Sequence, residues 1–305
     1  MKTRHEKAQS FLATLAESSP ELPFEPTLLP ELFASTADSS MSSTAHIANL
    51  VERSQGLAAR ILRLANSAYY GMQTAVSSLP HAIRLLGLNE VRNIILQIGV
   101  SSMIRKLDLP KSFPFKELWE HQILTASLAK TIARSMPHVD TISPDELYTA
   151  GLLHDIGKTL LAANRPEDWN AIHDLAVVDN IPFYRAEEDY WGIDHSMVGA
   201  RLLTFWGLPQ KLTELVNWHH FPQHAQEPFT ASAFILATAN VLSHYQLKDI
   251  VLEPKDENEN PSLVLPKDAQ AYIPETADQA KLLANLADCY DMDRVGGMAA
   301  ASMEE

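Results

Sequence analysis

Apolar residues recur every third or fourth position along most of this chain, the spacing of one face of an α-helix. Over 44–53 the stripe is Ile47, Leu50 and Val51, and over 57–69 it is Leu57, Ile61 and Leu64. Gln55-Gly56 between them is predicted as a short helix–helix turn. Leu79-Pro80 opens a further helix, Gly87 interrupts it, and Asn89 is placed to cap the next, which carries Val91, Ile94, Ile95 and Ile98. Ser143-Pro144-Asp145-Glu146 reads as an N-cap serine, a first-turn proline and a glutamate that closes a capping box. Gly157 is expected to end that helix, with His154 and Asp155 in its last turn. No segment in the first 245 residues alternates convincingly like a strand. The expected fold is all-α, a multi-helix domain preceded by an N-terminal helical subdomain.

Three segments are expected, the last of them set off by a change of texture at 246. Residues 1–19 form a helical lead-in. Residues 20–245 form the main domain, with a first helical part over about 20–110 and a second over about 111–245. From 246 to 305 the chain is predicted as an acidic linker, with E-P-K-D-E-N-E-N-P-S at 253–262, a short extended segment at 263–266, an amphipathic helix over 276–290 and a fraying tail.

Charge narrows the function. The net charge is −14, and residues 251–305 hold twelve acidic against four basic side chains. So acidic a surface repels phosphate backbones, which argues against nonspecific nucleic-acid binding. No stretch approaches the roughly 18 apolar residues needed to span a bilayer, so no membrane partner is expected. The one cysteine, Cys289, excludes an intrachain disulfide and fits a reducing compartment. The charged start M-K-T-R-H-E-K-A-Q-S leads into no signal-peptide core. The expected location is the cytoplasm.

The candidate chemistry is histidine-rich. The stretch G-L-L-H-D-I-G-K at 151–158 sets His154 and Asp155 side by side. His121 shares a helical face with Leu118, Leu124, Leu128 and Ile132. His195 follows the capping residue Asp194 and precedes Val198, Gly199 and Leu202 on one stripe. His219 aligns with Leu212, Leu215 and Val216, and His220 follows Val216 by four. Five histidines from four helices thus face inward with an aspartate. Burying so many polar rings without a shared partner is costly, and imidazole with carboxylate suits iron, manganese, nickel or zinc. The expected cofactor is a divalent transition metal, one ion or two. His5, His46, His81, His138, His173, His224 and His244 lack this pattern and are read as surface or structural residues. Asn66, Ser67, Tyr69, Tyr70 and Gly71 are read as a packed helix terminus, with a ligand or partner surface as the alternative. Trp191, Trp206 and Trp218 are read as core or pocket wall.

These residues and the N-terminal motifs resemble a known family. His121, H-D-I-G-K, D-H-S-M-V-G-A at 194–200 and His219-His220 are similar to the HD superfamily of metal-dependent phosphohydrolases, especially its cyclic-dinucleotide phosphodiesterase branch. L-P-E-L at 29–32, S-Q-G-L-A-A-R-I-L-R-L-A-N-S-A-Y-Y-G at 54–71 and S-L-P-H-A-I-R-L-L-G-L-N-E-V-R-N-I-I-L at 78–96 resemble the HDOD domain, with 111–245 as its HD-like part. The resemblance implies a helical signalling or regulatory module with a protein partner. It implies one metal at His121, His154 and Asp155, closed by a later aspartate, and a second at His195, His219 and His220, with Asp155 bridging. It also implies Asp155 and Lys158 as the residues of any catalysis, Lys158 meeting a phosphate-containing small molecule or a metal-bound anion. Two departures stand out. Asn240 occupies the place of the closing aspartate, and the Gly-Tyr-Pro signature of the phosphodiesterases is missing. Two functional classes stay open, a metal-holding regulatory module and a metal-dependent phosphohydrolase.

Overall fold

The computed structural model describes residues 9–13, 28–37, 44–66, 76–104, 106–136 and 141–247. Among them every regular element is helical and no strand occurs. A helical segment over 9–13 comes first. Then follow α1 (Leu28–Ala37), α2 (Thr44–Glu52), α3 (Gln55–Ala65), α4 (Leu79–Leu86) and α5 (Leu88–Ile104). The second half holds α6 (Phe115–Ser135), α7 (Pro144–Leu153), α8 (Ile156–Asn164), α9 (Pro166–Asp179), α10 (Phe183–Trp191), α11 (His195–Phe205), α12 (Gln210–Trp218) and α13 (Thr230–Leu247).

The predicted stripes form the core. Ile47, Leu50, Val51, Leu57, Ile61, Val91, Ile94, Ile95 and Ile98 are all buried, and one continuous apolar cluster runs from Phe11 to Leu242. Polar ties join the two halves. Asn89 on α5 donates to Asp145 Oδ2 at 2.8 Å, and the Thr149 hydroxyl on α7 donates to Asn93 on α5 at 2.6 Å; within the second half, Lys130 on α6 holds the same carboxylate through Oδ1 at 2.7 Å. Trp191 and Trp206 are buried in the cluster.

Three local expectations need correction. Gln55-Gly56 is not the turn: α3 begins at Gln55 after the N-cap Ser54. The turn is Arg53-Ser54, because serine leaves the helical conformation more readily than the residues after it. Asn89 does not cap α5; it lies in the first turn, Gly87 at φ 84° closes α4, and the Asn89 amide is spent on Asp145. Gly157 does not end the helix that carries His154. That helix, α7, starts with the predicted capping box on Ser143 and Glu146 but stops at Leu153, with His154 as its C-cap. Asp155 is the N-cap residue of α8, and Gly157 lies inside α8.

The glycine has another task there. A Cβ on Gly157 would stand 1.9 Å from the carbonyl oxygen of His195. Only a residue without one lets α8 and the start of α11 touch, and that contact brings Asp155 to His195. Gly151 does the same between α7 and α6, where a Cβ would meet the Ala126 Cα at 2.5 Å.

The lead-in outside 9–13, residues Ser67, Tyr69, Tyr70 and Gly71, and the linker, extended segment, helix and tail expected after 247 lie outside the described residues. Asn66 is described. Its side chain exchanges hydrogen bonds with the backbone of Val76 at 2.7 and 2.8 Å, which ties position 66 to position 76.

Candidate metal centre

Helix ends build the site. His154 at the C-terminus of α7 and His219 at that of α12 each turn Nδ1 back onto a carbonyl of their own last turn, Gly151 and Val216, at 2.8 Å. Those carbonyls have no intrahelical partner, so each ring satisfies a helix end. A carbonyl only accepts, so both Nδ1 atoms carry the proton and both Nε2 atoms of the neutral rings carry a lone pair. His195, first residue of α11, gives its Nδ1 proton to Glu187 Oε2 at 2.5 Å, and the same carboxylate oxygen accepts from the His195 backbone N–H at 3.0 Å. His121 places Nδ1 2.6 Å from Ser243 Oγ, which lies 3.5 Å from the His121 carbonyl. The hydroxyl can therefore accept from the ring and donate to the carbonyl.

Four imidazoles are thus anchored through Nδ1 and present Nε2 inward. Asp155 stands between them. Its Oδ2 lies 3.6 Å from His121 Nε2 and 3.4 Å from His154 Nε2. Its Oδ1 lies 2.9 Å from His195 Nε2 and 3.7 Å from His219 Nε2. His121 and His154 bring their Nε2 atoms within 3.1 Å of each other, and His195 and His220 within 3.0 Å. All of these residues are buried except His220, which is partly exposed and stacks on Tyr184 at 4.1 Å. The donors fall into two groups, His121–His154–Asp155 and His195–His219–His220.

Two ring nitrogens 3.1 Å apart with their protons on the far side repel unless a cation or a proton lies between them. Burial pushes the pKa of His121, His219 and His220 well below its ordinary value, and lowers that of His154 as well, so protons are a poor answer at four of the five rings. His195 differs. Burial opposes its charge, but the Glu187 carboxylate, with help from Asp155, raises its pKa to about 9. Burial likewise opposes the Asp155 carboxylate, yet His154, Lys158 and His195 hold its pKa well below the usual range. His219 Nε2 and Asn240 Oδ1 are buried with no hydrogen-bond partner. Converging lone pairs, an ionised central carboxylate and orphaned acceptors form a donor set that fits a divalent transition metal.

The side chains expected to act together do converge, and three details add to that reading. Lys158 lies against the centre: its Nζ donates to Asp155 Oδ2 at 2.7 Å, and the side chain keeps an exposed edge. Glu187 was missed. It sits four residues from both Phe183 and Trp191 on α10 and is 1% exposed, and an acid between two aromatics at helical spacing is a readable signal of burial. His244, expected as a surface or structural residue, packs beside the centre. It stacks on His121 with ring centroids 4.0 Å apart, and Asn240, Ser243 and His244 share the α13 face that meets His121. The three- and four-residue spacing of that trio was visible in the sequence. His46, His81, His173 and His224 are exposed, as expected, while His5 and His138 lie outside the described residues.

Comparison with known proteins agrees with this architecture. A crystal structure of an HDOD domain protein of unknown function from Geobacter sulfurreducens superposes with a TM-score of 0.68 at 24% identity, covering 93% of this chain and 96% of that one. A candidate phosphohydrolase from Shewanella amazonensis SB2B superposes with a TM-score of 0.61 at 24% identity, covering 79% and 82%. At such identities the likeness shows the fold. A curated relative from Treponema pallidum (strain Nichols), described as an uncharacterized protein, is 24% identical over 229 residues. They make up 75% of this chain and 43% of the relative, so the chain spans less than half the relative's length. The profile of the HDOD domain matches residues 22–222, about two-thirds of the chain, and the chain, with its helical fold and histidine motifs, belongs to the HDOD domain family.

Proposed function

We propose that this protein is a regulatory HDOD module whose buried centre holds divalent transition metal, iron, manganese, nickel or zinc, at two subsites bridged by Asp155. His121 and His154 serve one subsite, and His195, His219 and His220 the other. The observation that carries this reading is the aspartate itself, which turns one carboxylate oxygen toward each histidine group. A carboxylate used only for packing or for a salt bridge needs one side. Asn240 at the position of the closing aspartate leaves the His121 subsite short of one negative charge, which favours holding metal over turning over substrate. The module's output is then contact with a signalling protein partner that reads the state of this centre.

Elemental analysis of purified protein, reconstituted with metal under anaerobic conditions, tests the reading. Stoichiometric transition metal is expected, lost in Asp155→Ala. Wild-type protein with no stoichiometric metal after reconstitution would sink it.

One observation favours a second reading, hydrolysis of a phosphate-containing small molecule. Lys158 touches Asp155 yet keeps an exposed edge, so a cation stands between the centre and solvent, where a phosphate oxygen would approach. Metal at such a site supplies a nucleophilic water and polarises a phosphoryl oxygen. Lys158 would hold the phosphate, and Asp155 would keep the donors in register. Turnover of cyclic dinucleotides, cyclic mononucleotides or nucleotides that disappears in Asp155→Ala would establish this second reading. Metal-loaded protein without turnover leaves the regulatory one.

A further inference from the structure

Five of the six donor side chains are shut in: His121, His154, Asp155, His195 and His219 are each 3% exposed or less. Of the six, His220 alone reaches from the centre to the surface. Its Nε2 lies 3.0 Å from His195 Nε2, and the residue is partly exposed. Tyr184 on α10 covers that outlet. Its ring stacks on His220 at 4.1 Å between centroids and 19° between planes. Phe221 meets Tyr184 edge-on at 5.7 Å and 88°. The Arg185 guanidinium lies 5.5 Å from the Tyr184 ring and 5.4 Å from that of Phe221, so it braces both.

The other approach carries a positive charge. Lys158 keeps an exposed edge, but its ammonium sits on Asp155 Oδ2 at 2.7 Å and repels an incoming cation. A metal ion therefore finds its route at His220. What can move there is the tyrosine and not its helix. Glu187, three residues further along α10, holds His195 with two hydrogen bonds, and Trp191 at the helix end packs on Phe11 at 4.6 Å. The brace outside the ring is weaker. Arg185 pairs with Glu188 at 3.1 Å with side chains 43% and 34% exposed, and pairs so placed contribute little. We propose that Tyr184 is the gate through which metal enters and leaves the His195–His219–His220 subsite, closed while its ring lies on His220 and open when the side chain swings outward. The proposal rests on the reading of those three histidines as a metal subsite. A gate sets the rate of passage in both directions and leaves the binding equilibrium where it was.

The test follows rates on the full chain with cobalt(II) or zinc. Stopped-flow absorption of cobalt(II) gives the association rate, and transfer of bound metal to excess chelator gives the dissociation rate. Tyr184→Ala is expected to keep wild-type circular dichroism and to speed both rates about tenfold, the scale of one lost aromatic stack, with Kd nearly unchanged. Tyr184→Phe keeps the ring and should be as slow as wild type. Arg185→Ala removes the outer brace, leaves the stacked rings in place and should also speed both rates. Wild-type rates in Tyr184→Ala overturn the proposal. A weaker Kd with an unchanged association rate overturns it too, because the ring would then only position His220. Both outcomes leave the subsite standing. Wild-type protein with no metal equivalent sensitive to His195→Ala brings down the subsite itself, and the proposal with it.

Discussion

Glu187 holds His195 from two directions: one carboxylate oxygen accepts from the ring Nδ1 at 2.5 Å and from the backbone N–H at 3.0 Å. The bond fixes the tautomer and the ring orientation at once. It also makes Nε2 a stronger base, as a carboxylate behind a histidine does in metal centres. Glu187→Gln keeps an oxygen for the backbone N–H but removes the charge. Metal affinity on the His195 side should fall about 10- to 100-fold, while the other equivalent and the helical content stay unchanged. Equilibrium dialysis with circular dichroism as the folding control checks this; wild-type affinity in Glu187→Gln would show that the acid only packs.

Gly157 tests whether the centre depends on how closely α8 approaches α11. A methyl group there overlaps the His195 carbonyl at 1.9 Å, and the backbone, not a flexible side chain, must yield. Gly157→Ala is expected to destabilise the protein by about 3 kcal/mol or more and to lower metal content even where the protein still folds. Chemical denaturation and elemental analysis on the same preparation give both numbers. An alanine variant with wild-type stability would mean that α8 and α11 slide apart easily.

Much of this was legible in the sequence because helices write their burial as a three- and four-residue spacing. That spacing placed Ile47, Ile61, Val91 and Ile95 in the core and turned His121, His195 and His219 inward. The capping box at Ser143 was equally local, and it is present. Less legible were features that depend on a second element. Gly157 reads as a helix stop along one chain, and only the His195 carbonyl above it shows why glycine is needed inside α8. Glu187 and His244 look like ordinary polar residues until α10 and α13 are laid against His195 and His121.

Metal removal should weaken the whole fold, since the donors come from α6, α7, α11 and α12 and the interhelical loop at Asp155. A ligand that binds only the folded state stabilises it by about 2.7 kcal/mol at a hundredfold excess over Kd, or roughly 5–11 °C in Tm for a domain of this size. Metal-loaded protein is therefore expected to melt higher than chelated protein by that order. Asp155→Asn, which keeps the shape but not the bridging charge, should erase most of the difference. Differential scanning calorimetry with and without chelator decides it, and equal melting temperatures for loaded and stripped wild type would count against a shared centre.

Acid should loosen the tie between the two halves at Asp145. Burial would raise the pKa of this carboxyl, but hydrogen bonds from Lys130 and Asn89 and the charge of Lys130 outweigh burial and hold it below its ordinary 3.8. An acid with a depressed folded pKa binds protons more readily when unfolded. Its contribution to stability is therefore complete above about 3.8 and fades as the pH falls through the lower folded value. The pair is partly exposed, so the effect is modest and screened by salt. Asp145→Asn should melt below wild type near neutral pH, and the gap should close as the pH drops under 3.8. Melting curves of the two proteins across that range are the check. A gap that stays constant into acid would assign the loss to the changed hydrogen bonds with Lys130 and Asn89 and not to the charge.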